Sequence, residues 1–249
     1  MASRLFRWSL VAILLSSGLL VAGQVAVAAV EILDHTVKGE MEIGGSQIYG
    51  ERGSSKFEEY REIPRGLFLG LLKLDVEDKE QRRYYKFRAT DTIQEDQNYL
   101  LRLGGYGKYE VQLEWDQLPH VFSNTGRSLF GGNPGDLTIS SLIRTTLQTA
   151  SSPLDMTTIR TTINENVRGI DLGLRRDTGR AAFRYTTTPE WDLRLGYSNE
   201  GREGTRPFGA NIGTNAASSF NIIELPEPID YRTHDASASA EYATDRWSI

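Results

Sequence analysis

The 249-residue chain contains no cysteine. This absence excludes disulfides, thiolate metal sites and covalent attachment of c-type haem, which requires paired cysteines followed by a histidine. Histidine is also scarce: His35, His120 and His234 are far apart in the sequence, so we predict that none of them binds metal or haem. The formal net charge of -5 argues against a general nucleic-acid binder.

Long apolar runs are missing from the chain after its first thirty residues. Charged residues interrupt every apolar stretch there, so no membrane-spanning helix is predicted. The one long run, Leu10 to Ala22, follows Arg4 and Arg7 and precedes the small residues Ala26-Val27-Ala28. The run is shorter than the roughly 20 residues of a spanning helix. It therefore predicts a Sec signal peptide at residues 1–28, with the mature chain starting near Ala29, and an uncleaved membrane anchor is the alternative.

The segment Lys108 to Asp116 has the clearest strand pattern. Tyr109, Val111, Leu113 and Trp115 alternate with charged or amide residues, so the predicted strand has one apolar and one polar face. Such a strand belongs either to a half-solvated sheet or to a barrel with lipid outside and water inside.

Similar segments recur and predict an all-β chain with about nine strands. We place them near 36–43, 66–77, 82–90, 98–103, 108–116, 167–175, 181–185, 191–197 and 237–247, with a tight turn at 177–179. Residues 118–166 lack alternation and predict a long loop, in which Leu137, Leu142, Ile143 and Leu147 suit one face of a short helix. The pattern stops in mid-strand at Ile249, so we expect an incomplete amino-terminal fragment of a large antiparallel transmembrane β-barrel.

Three segments together resemble the MtrB/PioB family of decahaem-associated outer-membrane proteins. They are Glu114 to His120, the Trp191 to Tyr197 strand running into Glu200 to Gly209, and Glu224 to Thr233. The resemblance covers the chain from about Gly39 to its end. Some relatives carry a Cys-x-x-Cys pair near the mature amino terminus, which this chain lacks.

The resemblance implies a bacterial outer-membrane barrel that encloses a periplasmic multihaem c-type cytochrome. Electrons then cross the membrane from haem to haem, for extracellular metal reduction or for iron oxidation. The chain itself is expected to bind no cofactor and to catalyse nothing, because the haem belongs to the partner. An extracellular cytochrome is a second expected partner, and outer-membrane lipid surrounds the barrel.

Two groups of candidate site residues follow. The candidate partner-facing residues are Lys108, Glu110, Glu114 and Asp116, with Arg206 and Phe208 on a predicted rigid turn at 206–209. The candidate membrane-interface aromatics are Tyr109, Trp115, Trp191, Tyr197 and Trp247. The alternatives are that the charges only line water or a solvated sheet, that the aromatic residues form the core of a soluble sandwich, and that the turn packs on its own loop.

Two other functions remain open from the sequence. The same strands suit a general porin for small solutes. A barrel enzyme of the protease or lipase type has less support, because no Ser/His/acid cluster is visible. Three predicted strands separate the long connection 118–166 from the second long connection, between the strands at 191–197 and 237–247. We therefore expect these two connections on opposite sides of the membrane.

The signal peptide yields a first prediction. We expect the exported protein to begin near Ala29 and to fractionate with the outer membrane, because signal peptidase cleaves after small residues. Amino-terminal sequencing of the purified product measures this directly. A cytoplasmic product that retains Met1 would contradict both export and the barrel.

Overall fold

The protein forms one large antiparallel sheet with a helical insertion. A computed structural model describes residues 7–14, 19–32, 34–49, 55–78, 80, 82–133, 135–151, 153–186, 188–211 and 222–244. In chain order the elements are β1 (Arg7–Leu14), β2 (Leu19–Ile32), β3 (His35–Ile48), a short 3-10 helix (Ser55–Glu58), β4 (Gly66–Asp78), β5 (Arg83–Thr92), β6 (Asn98–Gly105), β7 (Tyr109–Ser128), β8 (Gly131–Asn133), β9 (Asp136–Thr138), α1 (Ser141–Ala150), α2 (Met156–Asn166), β10 (Arg168–Tyr185), β11 (Trp191–Asn211) and β12 (Ile222–Tyr242).

The sheet is an up-and-down meander of ten strands. Each strand pairs with its neighbours in the sequence, and among the described residues the only interruption is the insertion between β7 and β10, which contains β8, β9, α1 and α2. The all-β, antiparallel architecture predicted from the alternating segments is confirmed. Strands β1 and β2 overlap the predicted signal peptide in this unprocessed chain, so cleavage near Ala29 stays a prediction.

The predicted turn at 177–179 is wrong. These residues lie inside β10, where Thr178 pairs with Asp116 of β7 on one side and with Glu200 of β11 on the other. Long partner strands on both sides supply ladder hydrogen bonds to Asp-Thr-Gly, and this outweighs its turn propensity. The segments 167–175 and 181–185 are therefore one strand, and the described sheet has eight strands after residue 32, not nine.

Three other boundaries also differ from the sequence-based expectation. Strand β7 continues to Ser128, so the long connection to β10 begins at residue 129 and not at 118. The predicted turn at 206–209 lies within β11, and the final strand begins at Ile222, well before the predicted position 237. Pairing of β11 with β12 over their whole lengths keeps both of them extended.

The helical insertion contains the short helix suggested by its apolar residues. Leu142, Ile143 and Leu147 lie on α1, whereas Leu137 belongs to β9. Helix α2 begins after Asp155, whose carboxylate accepts hydrogen bonds from the backbone N–H groups of Thr157 and Thr158. A hydrogen bond from the Thr158 hydroxyl, and then these backbone bonds, hold the pKa of Asp155 below its usual value.

The longest connections all lie at one end of the sheet. Because the strands alternate in direction, connections 49–65, 93–97, 129–167 and 212–221 fall at one end. Connections 33–34, 79–82, 106–108 and 186–190 fall at the other. The three-residue turn 106–108 uses Gly107 at φ +69°, a conformation that glycine adopts without a steric penalty. Two strands, β10 and β11, separate the two long connections 129–167 and 212–221, so they share one side, contrary to the expectation of opposite sides.

This asymmetry gives a second prediction. Outer-membrane barrels have short periplasmic turns and longer extracellular loops, so epitope tags inserted between Ser151 and Leu154, or within 212–221, should both bind antibody on intact cells. A tag between Gly107 and Lys108 should bind antibody only after the outer membrane is permeabilised. Opposite accessibility of the first two tags would contradict the strand count.

Candidate functional site: the two faces of the sheet

One side of the sheet, called here the apolar face, carries Tyr109, Val111, Leu113 and Trp115 of β7. The register aligns these residues with apolar residues on the other strands. The row through Val111 is Val37, Val76, Tyr85, Leu103, Val111, Phe183, Leu195 and Ala238, and the row through Leu113 is Gly39, Leu74, Phe87, Leu101, Leu113, Ala181, Tyr197 and Ala236. The apolar face therefore runs without a charged residue through both rows of eight strands.

Several large hydrophobic side chains on the apolar face are exposed. Leu113 is 46% exposed and Leu195 55% exposed. Water makes such a continuous apolar surface costly for a soluble protein, whereas a bilayer accepts it.

Aromatic residues border the apolar face at both ends. Tyr109 pairs with Tyr185 toward the short-turn end, and the rings of Trp191 and Tyr242 lie 4.9 Å apart just beyond them. At the other border, Tyr99 pairs with Trp115. Tyr197 lies one row inside this border, where its hydroxyl is 2.8 Å from His234 Nδ1. These positions agree with a role at the membrane interface for the candidate aromatics, although their contact with lipid stays a prediction. Trp247 lies outside the described residues.

The opposite side, called here the polar face, carries Glu110, Gln112, Glu114 and Asp116. Tyr84 of β5 crosses Gly104 of β6, and its hydroxyl donates a 2.6 Å hydrogen bond to Glu110. A Cβ at position 104 would lie 2.9 Å from that hydroxyl oxygen and 2.3 Å from the Tyr109 carbonyl oxygen. Glycine is therefore required at this crossing, and Tyr84 is only 7% exposed.

The other predicted partner-facing carboxylates also have partners within the wall. Asn98 donates to Asp116 at 3.2 Å, and the Arg180 guanidinium lies 3.4 Å from Glu114. Nearer the short-turn end, Arg184 and Arg194 both bind Asp192, at 2.7 and 2.5 Å. The polar face is thus a surface of mixed sign in which these charges are compensated across adjacent strands and, for Arg194, along β11.

The remaining partner-facing candidates lie at the two ends of the polar face. Lys108 is exposed in the tight turn before β7. Arg206 binds Glu227 of β12 at 2.5 Å, and Phe208 pairs with Leu225. Both lie on the long-loop side of the apolar rows, on the same side of the sheet as Glu110. The structure therefore does not bring the six candidates together into one cluster.

The long strands continue well past the apolar face at the long-loop end. Strands β7, β11 and β12 have 20, 21 and 21 residues, whereas a strand crosses a membrane in about 9–11 residues. On the apolar face of β7 the unbroken apolar series ends at Trp115 and is followed by Gln117, whose side-chain amide donates to Asp177 at 3.0 Å. A polar row thus marks the border of the apolar face, and the sheet projects beyond it.

His120 has a structural position that its sequence context did not predict. The sequence placed it in a loop, but it lies on β7, in the projecting part, between Tyr60 and Phe122, with ring centroids at 4.4 and 4.1 Å. Its Nε2 is 3.7 Å from Glu59 Oε1, and the backbone N–H of Val121 donates to the Glu59 carbonyl oxygen at 2.9 Å. The connection 49–65 therefore covers the edge of β7 that β6 leaves unpaired.

Acidic residues near the long-loop end form no metal site in the described parts of the chain. Burial raises the pKa of Asp96, in connection 93–97, and the neighbouring Asp91 adds to the effect. Across the described ranges, no group of three or more metal-binding side chains converges. None of the helices seen there is both long and apolar enough to cross a membrane.

Comparison with known families identifies this architecture. The family model for the MtrB/PioB outer-membrane β-barrel porins matches residues 49–249. The chain belongs to the MtrB/PioB family. This MtrB/PioB protein is therefore an antiparallel β-barrel protein of the outer membrane, although β1 and β12 are not paired with each other in the sheet. A search of curated proteins gives no significant match.

The two faces give a third prediction, based on adjacent residues of β7. Leu113→Arg should destabilise the barrel by about 2–4 kcal/mol if the apolar face meets lipid near mid-membrane. Gln112→Arg, on the polar face, should be tolerated because it points toward the barrel lumen. Urea titration of the full-length barrel, followed by its heat-modifiable gel mobility, compares the two variants. Equal effects would mean that the faces are assigned wrongly.

Proposed function

We propose that this chain forms the wall of a sheath that encloses a periplasmic multihaem c-type cytochrome and so supports electron transfer across the outer membrane. The observation that carries the proposal is the polar face of a barrel in the MtrB/PioB family. It is broad, of mixed sign and internally paired. Such a wall suits a folded protein guest, since it leaves few charges for the guest to neutralise.

The division of labour follows from the chemistry of the two partners. This chain has no cysteine with which to attach haem, so in this proposal the redox groups belong to the guest. The wall supplies an apolar exterior toward lipid and a polar interior toward the cytochrome. In this proposal the chain catalyses nothing itself, and an extracellular cytochrome is the second partner at the long-loop end.

The guest enters from the short-turn end, which we assign to the periplasm. A groove of about 710 Å³ lies there on the polar face, between turns 106–108 and 186–190. Residues of both charge signs line it, among them Lys86, Arg102, Glu110, Arg184 and Asp192. This groove is polar and balanced in charge, so this end of the barrel admits a protein surface without selecting strongly for one sign of charge.

A general porin is the second candidate function, because the family itself is described as porin-like. A polar face that lines water serves a porin equally well. The two functions differ in what fills the lumen: a folded haem protein in the sheath and mobile water and solutes in the porin.

The fourth prediction tests the occupant of the lumen. The full-length protein from its native membrane should copurify with a multihaem cytochrome, detected by haem staining and visible absorption, and should contain no haem when expressed alone. Ala182→Trp should reduce the copurified haem several-fold, because position 182 lies on the polar face in the row of Gln112.

Ala181→Trp is the matched control, since it places the same bulk one residue away on the apolar face, in the row of Leu113. It should leave the haem content unchanged. A barrel that purifies without cytochrome and conducts small ions freely would overturn the sheath and favour the porin.

A further inference from the structure

A groove lies on the apolar face where tall side chains give way to alanine. Phe183 of β10 and Leu195 of β11 stand in one row with Ala238 of β12, and the next row repeats the step with Tyr185, Leu193 and Ala240. The groove has a volume of about 630 Å³ and a mostly apolar lining, which Arg194 and Ser239, on polar-face positions of the register, complete. The four large side chains stand on one side of the groove, and the two alanines of β12, the last strand of the described sheet, form its floor.

The shape and chemistry of the groove suit an unbranched hydrocarbon chain. It follows the strand direction over two successive rows, and no charged side chain of the apolar face interrupts it. It is continuous with the rows through Val111 and Leu113, which an outer-membrane barrel presents to lipid. A protein partner is disfavoured, because the apolar rows extend evenly past the groove and no polar rim separates it from them.

The position of the groove selects one leaflet of the membrane. It lies in the half of the apolar face nearer the short turns, and Trp191 and Tyr242 stand at its end on the same face. Tryptophan and tyrosine sit at the level of lipid headgroups, so the ring pair marks where a headgroup begins. The short turns are periplasmic in this class of barrel, and the periplasmic leaflet consists of phospholipid.

We propose that this groove binds one acyl chain of a phospholipid of the periplasmic leaflet, with the headgroup beside Trp191 and Tyr242. Van der Waals contact with the four large side chains holds this acyl chain more firmly than lipid is held on the rest of the apolar face. The proposal rests on the orientation given under the proposed function, but not on the cytochrome.

The test replaces the two alanines on the groove floor with the larger leucine. Full-length wild-type protein, the double variant Ala238→Leu with Ala240→Leu, and the control Ala236→Leu are each purified through extensive detergent exchange. Phosphate analysis and fatty-acid analysis then give the phospholipid retained per barrel. Ala236 lies on the same strand and face but outside the groove lining. We expect wild type and the control to retain about one phospholipid per barrel and the double variant to lose most of it.

Three results would overturn the proposal. Equal phospholipid retention in all three proteins shows that the groove holds none. If wild type and the control are dimers and the double variant is not, a second copy of the chain fills the groove. Recovery of the 3-hydroxy fatty acids of lipopolysaccharide, instead of phospholipid, shows that the groove lies in the outer leaflet. Heat-modifiable mobility confirms that each variant folds, and haem staining of the same samples reports on the sheath separately.

Discussion

Backbone hydrogen bonding between neighbouring strands is the constraint on which this structure depends. In lipid, every backbone N–H and C=O group needs a partner within the protein, so only a paired sheet can cross the membrane. The pairing also fixes what each face carries, because side chains alternate with a period of two. Leu101, Leu113 and Ala181 share a row, and a one-residue slip of β7 would put Gln112 or Glu114 into lipid instead.

The same pairing explains why so many charges fit on the polar face. Opposite charges and amides on adjacent strands are directly opposite or diagonal, as in the contacts of Glu114 with Arg180 and of Asp192 with Arg184. Arg194 adds a contact with Asp192 along β11 itself. The face is polar but nearly self-sufficient in charge. In the proposed sheath, this pairing would leave the guest positioned chiefly by the shape of the lumen, with little charge between wall and guest for added salt to screen.

Sequence patterns predicted the part of the sheet that has lipid on one face and water on the other. They failed where both faces meet water. The alternation from Tyr109 to Trp115 identified β7 because one face must be apolar there. Beyond Trp115 no lipid imposes alternation, so residues 118–128 resembled a loop, although the ladder with β10 continues. His120 was misplaced for the same reason, since its neighbours Tyr60 and Phe122 come together only through the return of connection 49–65. The Asp-Thr-Gly of β10 shows the reverse error, a local turn signal overridden by partners distant in sequence.

The unequal strand lengths connect the membrane part of the chain to its surface part. Strands β4, β5 and β6 have 13, 10 and 8 residues, whereas β7 and β10 to β12 have 18 to 21. The long strands all extend at the end with the long connections, so the wall is taller on one side of the lumen. A tall, one-sided wall leaves an unpaired β7 edge, which connection 49–65 covers through Glu59 and Tyr60. The helical insertion begins at the top of that wall, because β7 and β10 are the strands that it joins. If a second partner meets the barrel outside the cell, this wall and its insertion are the first surfaces that it reaches.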